Sequence, residues 1–195
     1  DTFLIEYHDW IPKIQNVTKW WSPLILKKLV AIRMTLAAAS MPVDTANLLK
    51  LAVASILIEV SNARYDHPSL SFAKVPKNDA PVFERFREQV EMMTTDLQNF
   101  TQARPKTLIL PGNSKQLEQV LPANSVFDAV ITSPPYPNRY SYARETRPQM
   151  FYLGFVQDGR EVGELETEAI GGTWGKATSV LDNHFDYRSI AVEEA

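Results

Sequence analysis

Cysteine is absent from the 195 residues, and glycine is scarce at seven. Without a thiol there is no disulfide scaffold, no thiolate nucleophile and no Cys-held zinc or iron–sulfur centre. The composition suits a reducing compartment, and the amino end shows no secretory leader pattern, so a cytoplasmic location is expected. No Walker glycine loop occurs, nor a Gly-x-Ser-x-Gly elbow, which argues against phosphate-loop and serine-hydrolase chemistry. His8, His67 and His184 are scattered, and no metal site is expected. Long apolar runs are lacking too. The longest, Leu48 to Val60, is broken by Lys50 and Glu59, whereas a membrane span needs about 20 mostly apolar residues. Nor is there an excess of charge of one sign: 20 basic against 23 acidic residues give a net −3. A generic polyanion binder is thereby excluded, and any nucleic-acid contact must come from a local cluster of Lys and Arg.

What is present is ordinary globular material, 45% hydrophobic and 22% charged. Ser22-Pro23 is a helix start, with Ser at the N-cap and Pro where its missing N–H costs nothing. Leu26, Leu29, Val30, Ile32 and Leu36 follow at helical spacing as far as Ser40-Met41-Pro42. Asp44 is the expected cap of a second helix, apolar on most of its circumference, which implies burial among several neighbours. Asp79 and Pro81 open a third, in which Phe83, Phe86, Val90, Met93, Leu97 and Phe100 draw one apolar stripe. A loop, 62–78, is expected between the second and third. Trp10, Trp20 and Trp21 read as core or interface.

The pattern changes at Pro105. Thr107-Leu108-Ile109-Leu110, closed by Pro111-Gly112, reads as a buried strand, 114–121 as a short helix, and 126–131 as a second strand after a Pro122-Ala123-Asn124-Ser125 turn. Strand, helix, strand is a crossover unit, so the two strands are expected to be parallel neighbours, with ligands at their carboxyl edge. Downstream, 147–155 and 161–170 read as helical, and 171–175 (Gly-Gly-Thr-Trp-Gly) as a loop.

Directly after the second strand stands Thr132-Ser133-Pro134-Pro135-Tyr136. Two consecutive prolines fix two φ angles and remove two N–H donors. The corner is stiff, and its carbonyl oxygens accept without neighbouring amides to compete. A planar heterocycle with an exocyclic amine suits it: Tyr136 stacks on the ring, while Ser133 and the Pro134 carbonyl accept from the amine hydrogens. A base inside a duplex has to be flipped out to reach such a corner. Arg139, Arg144 and Arg147, offset by Glu145 and beside Tyr140 and Tyr142, form a local positive cluster that reads equally as a phosphate clamp or as a solvated arginine-rich helix start.

The stretches Gly112-Asn113-Ser114, Leu121 to Ser125 and Phe127 to Tyr136 resemble the amino-methylating DNA methyltransferases of restriction–modification systems. The Ser-Pro-Pro-Tyr version is similar to the cytosine-N4 group; Asn138 to Tyr142 and the Gly-Gly-Thr-Trp-Gly loop also look like the family, and the specific likeness covers roughly 107–175. The resemblance implies an S-adenosylmethionine-dependent enzyme that methylates cytosine N4 in preference to adenine N6 in double-stranded DNA. Ser133, Pro134, Pro135 and Tyr136 would be catalytic, Asn113 and Thr132 would contact the cofactor, and Arg139, Tyr140, Arg144 and Arg147 the DNA. The family's glycine-rich cofactor turn is missing, and Asn113 stands where the family has aspartate. With the start at Asp1, this leads to the expectation that the chain is a piece whose cofactor-binding half lies elsewhere, on the parent polypeptide or a second subunit.

The reading is thus an α/β protein: a helical bundle segment, 1–104, preceding part of a Rossmann-like methyltransferase catalytic domain, 105–195. Two rivals remain, a methyltransferase acting on an RNA or protein-glutamine amine, and a non-catalytic binding fragment or subunit.

Overall fold

The structure, a computed structural model, describes residues 2–64, 71–100, 107–132 and 141–168. Helix α1 (Thr2–Glu6) and the one-turn helix α2 (Val17–Trp20) precede two long helices, α3 (Pro23–Ala38) and α4 (Val43–Ile56). A two-stranded antiparallel ladder follows, β1 (Ala63–Arg64) on β2 (Ser71–Phe72), with Ala63 opposite Phe72. Then come α5 (Val82–Asn99), a 3₁₀ turn (Ser114–Gln116) running into α6 (Leu117–Val120), α7 (Tyr142–Glu145), α8 (Arg147–Leu153) and α9 (Gly159–Glu168).

Helix α3 starts as its sequence dictates, with Ser22 in a non-helical conformation and Pro23 in the first turn. The Ser22 hydroxyl does not cap its own helix. It donates to the Asn78 carbonyl at 2.9 Å, tying the start of α3 to the loop before α5. Ile25, Leu26, Leu29, Val30 and Ile32 are buried. Helix α4 begins two residues earlier than expected: Pro42 holds the N-cap, and Asp44 sits inside the first turn, where a carboxylate favours the positive end of the helix dipole. Its apolar circumference is only partly covered, for Ala52, Val53, Ala54 and Ile56 are buried while Leu51 and Val43 face outward.

Trp21, fully buried, locks the end of α4. Its indole Nε1 donates to the Leu57 carbonyl at 2.9 Å, satisfying one of the acceptors that every helix end leaves over. Asn62, 2% exposed, does the same for the turn that follows. Its backbone N–H donates to Trp20 O and its carbonyl accepts from Ala73 N, while its side chain donates to Lys19 O and accepts from Lys77 N. All of its polar groups are thereby paired, as burial demands. The expected loop at 62–78 is thus organised around one asparagine and the β1–β2 ladder. Phe72 meets Trp20 edge-on at 5.0 Å between centroids.

Helix α5 packs chiefly on α4. Val82 is buried and Phe86, Val90 and Met93 are half-buried, but Phe83, Leu97 and Phe100 are exposed, so the stripe is covered only along its middle. The chain returns to the bundle at α8. Phe151 and Tyr152 join the core, and the Tyr152 hydroxyl donates to the Leu29 carbonyl at 2.8 Å, across 123 residues of sequence. Arg33 stacks 5.9 Å from the Tyr152 ring and donates to the Trp10 carbonyl at 2.9 Å. Gly154 ends α8 in the left-handed region (φ 79°), a conformation that suits glycine, so the helix stops at Leu153, short of Phe155.

The expected α/β crossover is not formed. Residues 107–110 and 126–131 make no strand, and their apolar side chains stand in solvent: Ile109 is 85% exposed, Val126 91% and Ile131 99%. The short helix expected between them does form, as the 3₁₀ turn running into α6, but the strands on either side do not. The reason is physical. Strand propensity is local, whereas a parallel ladder needs a non-local partner and cover on both faces. Among the described residues neither run has either, and short isolated strands do not persist in water.

Candidate functional site

Four of the residues expected to carry chemistry, Ser133, Pro134, Pro135 and Tyr136, lie outside the described residues, as do Arg139, Tyr140 and the 171–175 loop. The described chain reaches them from both sides, at Thr132 and at Ser141. Thr132 is exposed, at the end of the second apolar run.

From Ser141 onward the site is built by helix ends. Ser141 is the N-cap of α7, its hydroxyl accepting from Arg144 N at 3.0 Å. The same hydroxyl donates to a carboxylate oxygen, Oε1, of Glu166 on α9. This bond closes α7 against α9 and helps to wall a cavity of about 200 Å³. Ala143, Met150 and Leu165 give the cavity an apolar lining, Ser141, Thr146 and Glu166 a polar one, and Tyr142 stands at its rim. Sequence reasoning missed Glu166. The only available signal was the Ser141-x-x-Arg144 spacing of a helix start, which says nothing about a partner 25 residues away.

Arg144 is exposed on α7, available to solvent and to a polyanion alike. Arg147 opens α8 half-buried, and its Nε is sealed from solvent without a hydrogen-bond partner among the described residues. The two arginines therefore differ: one is a surface cation, the other has its stem packed into the helix junction.

Asn113 sits in the turn before the 3₁₀ segment, its carbonyl accepting from Gln116 N at 2.9 Å. Gly112, Asn113 and Ser114 face Leu165 and Glu168 of α9 across a second cavity of about 370 Å³. Leu165 lines both cavities. Gly112 is required by packing, since a Cβ there would meet Val120 Cγ2 at 2.3 Å. Gly159 and Gly163 lie in α9 with nothing within 4 Å. No described glycine thus opens a cradle for a nucleoside cofactor. Among the described residues no cluster of three metal-ligating side chains occurs, and no helix is long and apolar enough to cross a membrane.

The chain is similar to a type II methyltransferase. The relative is M.BsoBI of Geobacillus stearothermophilus, 28% identical over 77% of this chain. The chain spans about a third (34%) of that relative's length. No protein-family profile matches the chain, and no solved structure does.

Proposed function

We propose that this chain is part of a site-specific DNA methyltransferase that modifies an exocyclic amine, cytosine N4 in preference to adenine N6. The observation that carries the reading is the likeness to a type II methyltransferase over most of the chain, coinciding with Ser133-Pro134-Pro135-Tyr136. In this reading 1–104 is a helical segment and 105–195 contributes to the catalytic domain. Ser133 and the Pro134 carbonyl orient the amine, Pro135 fixes the corner, and Tyr136 stacks on a flipped base. The contribution is positioning, which requires no strong general base on this chain. Arg139, Tyr140, Arg144 and Arg147 serve the DNA backbone and the bases beside the target.

S-adenosylmethionine is the methyl donor that the resemblance implies, with Asn113 and Thr132 as its contacts. The described residues do not build a site for it: there is no glycine-rich turn, and the Gly112 backbone is closed by Val120. Most of the donor's site is assigned to another part of the enzyme or another subunit. The two exposed apolar runs at 107–110 and 126–131 fit this assignment, because they are strand-prone and without partners in the described residues. A cytoplasmic enzyme is the matching location.

The test uses the enzyme reconstituted with its cofactor-binding half. Tyr136→Ala removes the stacking face, worth roughly 1–3 kcal/mol, so kcat/KM should fall about 5- to 150-fold. Tyr136→Phe should retain most activity. Ser133→Ala should lower kcat more than DNA affinity, and Arg144→Ala should do the reverse while flattening the salt dependence of binding. Methylation of duplex DNA unchanged by Ser133→Ala and Tyr136→Ala would remove the reading in favour of a binding subunit. Calorimetry on the isolated chain should give weak or no binding of S-adenosylmethionine.

A further inference from the structure

The cavity between α7 and α9 has a definite chemical polarity. Its apolar wall of Ala143, Met150 and Leu165 faces a half-buried carboxylate, and among the described residues no Lys or Arg lines it. The one proton that Ser141 offers goes to Glu166 Oε1. Glu166 Oε2 has no hydrogen-bond partner among the described residues, so it is an acceptor at the edge of an apolar space. Such a group is costly to desolvate unless a ligand supplies a donor. The like charge of Glu166 disfavours a phosphate or carboxylate group inside the cavity itself. A ring edge that presents a carbonyl would set acceptor against acceptor. At about 200 Å³ the cavity falls below the ~300–1,000 Å³ of drug-sized pockets, which fits a single ring.

We propose that this cavity binds an amine-bearing pyrimidine, its ring against Ala143, Met150 and Leu165 and its amine donating to Glu166. Cytosine is the base that matches, since a carboxylate accepts from its N4 amine, whereas thymine offers O4 at the same position. The proposal rests on the DNA reading above for its natural source, a cytosine in a DNA strand, and makes Glu166 a specificity residue. Free deoxycytidine monophosphate carries the same ring and is the other source.

The test is a titration of the ¹⁵N-labelled chain, followed by NMR, with deoxycytidine and thymidine monophosphates, with oligo-dC and oligo-dT, and with duplex DNA. Deoxycytidine monophosphate should move the backbone amides of Tyr142, Leu165 and Glu166 at millimolar concentration, with thymidine monophosphate weaker by roughly tenfold. Glu166→Gln keeps an acceptor for Ser141 but places an amide donor beside it, so the preference should vanish or invert. Leu165→Trp, at a partly exposed position, should fill the cavity and block both ligands in a chain that still folds by circular dichroism. Tighter binding of oligo-dC than of the mononucleotide names a DNA strand as the source; equal binding names the free nucleotide. Absence of shifts with deoxycytidine monophosphate, or an unchanged preference in Glu166→Gln, overturns the pocket assignment whatever duplex DNA does. Nucleotide binding by the chain, with no binding of duplex DNA by the reconstituted enzyme, would remove the methyltransferase reading and leave the pocket standing.

Discussion

Two regions of this chain carry runs of apolar residues that end up in opposite environments. In α3 and α4 the apolar residues recur with helical period, and each helix finds a neighbour that shields one face, so Leu26, Leu29, Val53 and Leu57 are buried. In 107–132 the apolar residues come as two short runs, and Ile109, Val126, Val130 and Ile131 stand almost fully in solvent. The difference lies in what each kind of element needs. A helix closes its own backbone hydrogen bonds and asks a neighbour only for apolar area. A strand leaves its backbone groups to another strand, and without one its side chains have no surface to rest on. Apolar content alone does not specify burial; the available partners do.

Substitution breaks or sharpens that contrast most directly at Trp21. Trp21→Ala empties a fully buried site and removes the bond to the Leu57 carbonyl. Large-to-small changes of this kind cost about 3–5 kcal/mol. At ~2–4 °C per kcal/mol for a chain of this size, the melting temperature should fall by roughly 6–20 °C. Ile131→Ala, an equally apolar truncation at a solvated site, should stay within about 0.5 kcal/mol. Calorimetric melts of the two variants decide it: similar losses would mean that 126–131 is packed after all.

The sequence made the first region legible and the second only half so. Ser22-Pro23 announces α3, and the spacing from Phe83 to Phe100 announces α5, because caps and periodicity are local. Strand propensity at 107–110 is equally local, but pairing is not, and the crossover drawn from it required a partner that the described residues do not supply. The ties that hold the bundle together, Trp21 to Leu57 and Tyr152 to Leu29, join positions 36 and 123 residues apart and leave no trace in spacing. The site divides the same way. Ser-Pro-Pro-Tyr is a signal in the sequence because two prolines constrain the backbone by themselves, and it lies outside the described residues. The meeting of Ser141 with Glu166 is not, because it depends on how α7 packs on α9.

Tyr152 probes whether the region after residue 140 belongs with the first kind of packing. Burial pushes its phenol well above the ordinary tyrosine range, so the hydroxyl stays protonated and donates to Leu29 throughout the neutral range. Tyr152→Phe keeps the ring against Arg33 and deletes only the donor. The Leu29 carbonyl retains its place in the α3 ladder, so the loss should be about 1 kcal/mol, or ~2–4 °C in melting temperature. A variant that melts like the wild type would show that α8 is held by apolar contact alone.

The smallest effect is electrostatic and sits where the start of α5 meets α3. Lys28 Nζ lies 2.6 Å from Asp79 Oδ1 and 3.0 Å from the Ala80 carbonyl, and Asp79 also accepts from Ala80 N at 2.7 Å. The hydrogen bond from Lys28 holds the Asp79 carboxyl below its ordinary value. The sign follows from that direction. A carboxyl whose folded pKa is depressed adds stability above its unfolded pKa, near 3.9, and loses it as pH falls through the lower folded value. The wild-type melting temperature should therefore drop more steeply than that of Asp79→Asn as pH falls below about 4, and the two should converge in strong acid. Because the pair is exposed, the difference should be small and should shrink further in high salt. Parallel melting curves for the two proteins across that range would mean that Lys28 anchors the Ala80 carbonyl and does nothing for the charge on Asp79.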